Sequence, residues 1–246
     1  MLDSPVILVF FAALLTALAT GLGAIPLIWA RSVGRVWLGV GNAIAAGLML
    51  AASFSLVEEG FGYDPVRTLA GVAVGLAGIM AAKYFLDSGG GENAIADVQG
   101  ADAIKIFLII GVMTVHSAAE GIAVGVGYGG GRELGDFLTV AIALHNVPEG
   151  LAISLVMVPR GAGVLKAAWW SIFSSLPQPL LAVPAFLFVL TFQPFLPVGL
   201  GLAAGAMIWM IFAELMPDAT RDASPETAGA VVTFSFAVMM GVTLLL

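Results

Sequence analysis

The sequence predicts an all-α integral membrane protein with eight transmembrane helices. Of its 246 residues, 60% are hydrophobic and 10% are charged, whereas soluble domains average about a quarter charged residues. Apolar runs of about 18 or more residues recur along the chain, which is the length that a bilayer core of about 30 Å requires. The mean hydropathy of +1.06 points the same way. These observations argue against a soluble globular domain.

The apolar runs define one transmembrane domain over residues 1–246. A first run without a preceding basic segment, and with Asp3 at its start, favours a first span over a signal peptide. The longest connection, residues 88–103, is rich in Gly and acidic residues and is predicted to be a flexible cytoplasmic loop. The eight predicted helices lie near residues 5–30, 36–58, 66–87, 104–128, 134–158, 165–191, 195–217 and 226–246.

The basic residues predict the orientation of the spans. Cytoplasmic loops of membrane proteins carry an excess of Lys and Arg. One set of alternate loops holds only Arg67 and Arg132, and the other set is predicted to be cytoplasmic because it holds Arg31, Arg35, Lys83, Lys105, Arg160, Lys166 and Arg221. We therefore expect a multi-pass cell-membrane protein with both termini outside the cytoplasm, and no basic face for nucleic acid.

The fourth and fifth spans contain the two histidines of the chain. Each histidine opens the same pattern, His116-Ser-Ala-Ala-Glu120-Gly121 and His145-Asn-Val-Pro-Glu149-Gly150. A spacing of four places the imidazole and the carboxylate on one face of a helix, one turn apart. Ionisable groups inside a span are costly and are functional candidates by default. The repeated pattern predicts a divalent metal site between two neighbouring helices, rather than a cluster that only joins them.

The residue types restrict the choice of ion. Imidazole and carboxylate suit zinc, ferrous iron, manganese and cadmium, whereas magnesium and calcium prefer oxygen ligands. The chain has no cysteine, so thiolate ligands and disulfides are excluded. A further buried carboxylate, Glu214, lies about one turn from the predicted membrane edge and is assigned a structural or gating role.

A weaker internal similarity relates the second and seventh spans. The first segment runs from Gly47 through Met49 to Glu58, and the second from Gly205 through Met207 to Glu214. Around the central pair, the spans then divide as 3+2+3. Because each outer unit has an odd number of spans, the two would be inverted repeats, which are common in transporters.

The paired motifs resemble those of the ZIP (Zrt/Irt-like) metal transporters, and the prokaryotic branch with two HNxPEG-type motifs is the most similar. The resemblance extends over the whole chain. It implies transport of a divalent transition metal, most simply zinc, into the cytoplasm, with the metal as substrate and without a cofactor or an enzyme activity. The ligands that it implies are His116, Glu120, His145 and Glu149.

The resemblance also implies further ligand positions. Met49 stands where the family has a ligand from the second helix, although a methionine in an apolar helix is equally a packing residue. A second metal site would use Ser117, Asn146 and Gln178. Ser117 replaces the usual asparagine and Gln178 replaces a glutamate, so the sequence does not predict a full binuclear centre.

One alternative class is an intramembrane metal-dependent hydrolase. Such proteases usually carry HExxH, in which the glutamate adjacent to the first histidine acts as the base. Ser117 and Asn146 occupy those adjacent positions here. Metal ions and the lipid bilayer are the expected partners, and the formation of a homodimer is left open.

Overall fold

The computed structural model describes residues 5–29, 34–89, 101–158 and 161–242, and within these ranges the protein is helical and has no strand. Short 3-10 turns at Ile25–Ile28 and Gln193–Phe195 and a π-helical turn at Ile211–Leu215 interrupt the α-helices. The α-helices are α1 (Pro5–Leu22), α2 (Arg35–Tyr63), α3 (Pro65–Gly89), α4 (Ala101–Gly130), α5 (Arg132–Met157), α6 (Val164–Ser175), α7 (Pro177–Thr191), α8 (Leu196–Met210), α9 (Met216–Asp222) and α10 (Pro225–Val242).

The helices confirm the predicted class. Among the described residues, seven segments are long and apolar enough to cross a membrane. The remaining predicted span coincides with α4, whose 30 residues extend over ~45 Å at about 1.5 Å per residue. Many large apolar side chains, among them Phe11, Trp37 and Phe234, are exposed on the outside of the bundle. A surface of this kind fits lipid better than water.

Two helical segments extend beyond the predicted spans by about a turn. Helix α2 continues past residue 58 to Tyr63, and the seventh span continues past residue 217 to Asp222 through the π turn and α9. Both extensions carry polar residues, so hydropathy marks where the apolar stretch ends but not where the helix ends. The described residues do not include 1–4, 30–33, 90–100, 159–160 and 243–246. Asp3, Arg31, Arg160 and most of the predicted 88–103 loop therefore lie outside them.

The sixth predicted span consists of two helices. Helix α6 ends at Ser175, and α7 begins at Pro177 after a turn at Leu176. Proline has no backbone N–H and is favoured in the first turn of a helix, where that group would have no intrahelical partner. The break places Gln178 in the first turn of α7, where the side chain is fully buried.

Helices α4 and α5 pack against each other at the centre of the bundle. Helix α4 also packs on α7 and α8, and α5 packs on α1 and α2. Further out, α3 packs on α8 and α10 packs on α2. His116 and His145 lie near the middle of α4 and α5, ~20 Å from either helix end at about 1.5 Å per residue. The central pair therefore carries its polar residues at mid-depth.

Glycines allow two of these helix pairs to approach closely. A Cβ on Gly47 of α2 would collide with the backbone of Val232 in α10, and a Cβ on Gly205 of α8 would collide with the backbone of Val72 in α3. Small residues at such crossings bring helix backbones together in membranes, where van der Waals packing drives association.

Candidate metal centre

Two helices supply the four central side chains. His116 and Glu120 lie on α4, and His145 and Glu149 lie on α5. Each offers one nitrogen or oxygen atom within 4.8 Å of those of the other three. All four side chains are buried. The i, i+4 spacing accounts for this arrangement, because it directs both polar groups of each helix toward the other helix.

The contacts cross between the two helices. The Nε2 atom of His145 lies 2.6 Å from Oε1 of Glu120, and Nε2 of His116 lies 2.8 Å from Oε1 of Glu149. Within α4, His116 Nε2 is 3.3 Å from Glu120 Oε1. Each histidine thus meets the glutamate of the opposite helix, and the four groups form one cluster around a common centre.

Several polar atoms of the cluster have no hydrogen-bond partner. Both ring nitrogens of His116 and Oε1 of Glu149 are buried without one. The 2.8 Å approach between His116 Nε2 and Glu149 Oε1 is therefore close without hydrogen-bond geometry. Unpaired buried polar groups are expensive in a low-dielectric interior. A divalent cation shared by the two imidazoles and two carboxylates would give His116 and Glu149 the partner that they lack.

One ring orientation is fixed by the backbone. The Nδ1 atom of His145 lies 3.2 Å from the carbonyl oxygen of Ala141. A proton on Nδ1, donated to that carbonyl, leaves the Nε2 lone pair directed at the cluster. Histidine ligands in metal sites are commonly oriented in this way.

Glycines directly after the two glutamates let neighbouring helices close on the site. A Cβ on Gly121 would collide with the backbone of Gln178 in α7, and a Cβ on Gly150 would collide with the carbonyl of Thr20 in α1. Both glycines therefore allow a close helix approach beside the site. Pro148 lies within α5, which continues through it.

A buried amide adjoins Glu120. Gln178 donates from Nε2 to Oε2 of Glu120 at 2.5 Å. The Gln178 Oε1 atom accepts from Thr16 Oγ1 at 2.5 Å and from Asn146 Nδ2 at 3.3 Å. Asn146 Nδ2 also donates to the Thr16 carbonyl at 2.8 Å, while Asn146 Oδ1 is buried without a partner. Of the predicted second-site residues, Asn146 and Gln178 are thus brought together beside Glu120.

Ser117 belongs to a different set of contacts. Its hydroxyl lies 3.5 Å from Oγ of Ser175, which in turn lies 2.8 Å from Oγ1 of Thr20. This short row of hydroxyls joins α4, α6 and α1. The described contact of the Ser117 hydroxyl is with Ser175 and not with Gln178 or Asn146. The predicted second-site residues therefore form two separate groups.

The remaining candidates lie around the cluster. Met49 is fully buried in the main hydrophobic core, a position that fits packing and leaves its role as a ligand a prediction. Glu214 lies in the π turn, with Oε2 3.8 Å from His116 Nδ1 and Oε1 3.0 Å from Nζ of Lys83. Glu214 therefore lies closer to the cluster than its place near the predicted membrane edge suggested.

Sequence reasoning missed two kinds of residue. Thr16 and Thr20 stand four apart in an otherwise apolar helix, and that spacing was a usable signal because it places both hydroxyls on one face. Lys83 entered the prediction only as one of the basic loop residues that indicate the orientation of the spans. Its contact with Glu214 joins residues 131 positions apart, and no local pattern indicates such a contact.

An acidic cavity opens at the far end of the bundle. It has a volume of about 460 Å³ and is lined in part by Glu58, Glu59, Tyr63 and Glu133. These residues lie at the end of α2 and the start of α5, the ends that the charge pattern predicts to face outward. The cavity therefore lies on the opposite side of the cluster from Lys83 and Glu214.

Comparison with known proteins agrees with the geometry. The profile of the ZIP zinc transporter family matches residues 87–246. An Arabidopsis thaliana protein named as a zinc transporter is 47% identical over 226 residues, which cover 91% of this chain but 36% of the plant protein. Zinc transporter GufA of Myxococcus xanthus is 30% identical over 95% of this chain and 97% of its own length. Zinc transporter ZIPB of Bordetella bronchiseptica is 32% identical over 90% and 76%, respectively.

The residues that the family profile matches include both His-x-x-x-Glu motifs, and the two bacterial relatives align with most of their own length. Together with the helical bundle and the buried cluster of two histidines and two glutamates, these matches show that the chain belongs to the ZIP family of zinc transporters.

Proposed function

We propose that this protein carries zinc across the cell membrane into the cytoplasm, and that His116, Glu120, His145 and Glu149 bind the ion on the way. The observation that carries the proposal is the cluster of four buried ligand atoms within 4.8 Å of one another at mid-depth in the bundle. Two imidazoles and two carboxylates replace the water shell of the ion. The two carboxylates also supply the negative charge that balances it.

Zinc is the proposed substrate for two reasons. The set of two nitrogen and two oxygen ligands suits zinc and also accepts cadmium, ferrous iron and manganese. Three of the relatives are named as zinc transporters. The absence of thiolate, which tends to hold zinc firmly, is compatible with a site that must release its ion.

We further propose that the site holds one ion and not two. The Gln178 amide N–H donates to the Glu120 carboxylate at 2.5 Å, in a position where a second cation would otherwise make its contact. The Gln178 oxygen is already engaged by Thr16 and Asn146. A neutral amide adds no charge to hold another ion in a low-dielectric interior.

The 3+2+3 arrangement with inverted outer repeats is supported by packing that occurs in matched pairs. The contact of α3 with α8 corresponds to that of α10 with α2, and the contact of α4 with α7 corresponds to that of α5 with α1. The exchange of the two outer units replaces α1 by α6 and α7, α2 by α8 and α9, and α3 by α10, and it also exchanges α4 with α5. Under this exchange, each contact becomes the other member of its pair. The close-approach glycines Gly47 and Gly205 correspond in the same way.

This symmetry suits an alternating-access mechanism. Rocking or sliding of the outer helices against the central pair would open the site to one side and then to the other. We propose that both termini lie outside the cytoplasm, on the basis of the Lys and Arg pattern. The lipid bilayer is the predicted partner, and the formation of a homodimer is left open. The hydrolase alternative has no observation in its favour, and membership of a transporter family argues against an enzyme.

Zinc uptake into vesicles reconstituted with the purified protein tests the proposal, with Glu120→Ala and Glu149→Ala as the variants. Each variant removes one of the two carboxylates, so uptake at limiting zinc should fall to the level of empty vesicles. Glu133→Ala is the matched control, because it removes a carboxylate from the acidic cavity at the far end of the bundle and leaves the four-residue cluster unchanged. Normal uptake in either site variant, once its folding is verified, would contradict the assignment.

A further inference from the structure

An ion pair stands directly beside the cluster. The Nζ atom of Lys83 lies 3.0 Å from Oε1 of Glu214, and Oε2 of the same carboxylate lies 3.8 Å from Nδ1 of His116. The exposed fraction of the side chain rises from 1% at His116 to 19% at Glu214 and 36% at Lys83. The three groups thus form a series from the buried cluster toward the predicted cytoplasmic surface.

The surroundings hold Lys83 in place. A narrow space of about 10 Å³ separates the three groups, with Ile79, Val115 and Trp209 among its lining residues. The Nζ atom lies 6.0 Å from the centroid of the Trp209 ring, at the outer limit of a cation–π contact. The ammonium therefore faces both a carboxylate and an aromatic ring, and little space remains between Lys83 and His116.

A free carboxylate at this position would hinder release of the metal ion from the cluster. An ion that left the cluster on this side would pass the His116 ring, whose Nδ1 atom faces Glu214, and would next meet that carboxylate. Imidazole and carboxylate are the same ligand types that form the cluster itself. If Glu214 were unpaired, it would attract a divalent cation strongly in a partly buried environment and would hold the ion after it had left the four ligands.

We propose that Lys83 is an internal cation that occupies Glu214 and so prevents this carboxylate from capturing the departing zinc ion. The inference rests on the proposed function, since it concerns release from the same cluster. Lys83 does not bind the metal. It positions and neutralises a neighbouring carboxylate, and no covalent step is involved.

A simpler role for the pair is to join α3 to the seventh span. In that case, loss of either partner should have the same effect, because each substitution breaks the same contact. The proposal predicts different effects for the two losses. Removing Lys83 leaves a free carboxylate beside His116, whereas removing the charge of Glu214 leaves nothing to capture the ion.

The test measures the rate at which zinc leaves purified, zinc-loaded protein after mixing with an excess of chelator. Lys83→Met should slow release at least about fivefold, the lower end of typical coupling between two sites. Lys83→Arg keeps the positive charge and should release zinc as the wild type does. Lys166→Met is the matched control, because it removes an exposed lysine of α6 near the same predicted membrane face.

Glu214→Gln and the double variant Lys83→Met/Glu214→Gln decide between the two roles. The proposal predicts that neither slows release, so the second substitution reverses the effect of the first. Slow release from the double variant, equal effects of the two single substitutions, or a wild-type rate in Lys83→Met would each overturn it. Wild-type vesicles that take up no zinc would instead remove the proposed function itself.

Discussion

Replacing Gln178 with glutamate is expected to turn a one-ion site into a two-ion site. In the wild type, the Gln178 amide donates to Glu120 at 2.5 Å. Gln178→Glu replaces that donor with a second carboxylate at the same separation. While both are ionised, two unit charges at this distance would repel by ~7 kcal/mol at an effective dielectric constant of about 20. Such a repulsion exceeds half of the stability of many proteins, which is about 5–15 kcal/mol.

A second divalent ion relieves that repulsion by lying between the two carboxylates. The oxygen of Asn146, which is buried without a partner, is available as a further ligand. We therefore expect the metal-free variant to be markedly less stable than the wild type and zinc to stabilise the variant more. An ion at about 100 times its dissociation constant contributes ~2.7 kcal/mol.

Elemental analysis after equilibrium dialysis against zinc, together with thermal unfolding with and without zinc, measures both effects. The wild type should hold one tightly bound ion per chain and Gln178→Glu should hold two. Gln178→Met is the matched control, because it removes the amide donor without adding charge and should still hold one. Two equally tight ions in the wild type, or one ion and an unchanged zinc response in Gln178→Glu, would refute the role given to Gln178.

Two further predictions concern packing and protons. Gly150→Leu should lower both the unfolding temperature and zinc uptake, because even its Cβ would collide with the Thr20 carbonyl of α1. Gly229→Leu, at an open position of α10, is the control. Equal stability of the two variants would contradict this account. Zinc uptake in vesicles should decline as the outside pH falls toward about 5, because protons compete with the ion for imidazole nitrogens and carboxylate oxygens. Uptake that rises steadily with acidity would indicate proton-driven symport instead.

The parts of the site that sequence reasoning could predict are those set by local geometry. The spacing of His116 and Glu120, and of His145 and Glu149, directs each pair to one helix face whatever the rest of the chain does. The structure brings the four side chains together, while their role as metal ligands stays a prediction. That each histidine lies against the glutamate of the opposite helix depends on how α4 and α5 are rotated, which the spacing does not specify.

The parts that could not be predicted depend on distant segments. Lys83 reaches Glu214 from another helix, and Thr16 reaches Gln178 across 162 positions. The ends of α2 and of the seventh span, at Tyr63 and Asp222, lie beyond the apolar stretches because a helix continues wherever its backbone bonds are satisfied. By contrast, the break at Pro177 was readable, since proline restricts the backbone at its own position.

X-ray absorption at the zinc edge of the purified, zinc-loaded protein tests the central claim most directly, because it reports the atoms around the ion. The account predicts a first shell with two imidazole nitrogens and two carboxylate oxygens at about 2.0–2.2 Å. In His116→Ala and in His145→Ala, the imidazole contribution should fall by half. A shell without imidazole, or a spectrum that neither substitution changes, would show that zinc binds elsewhere.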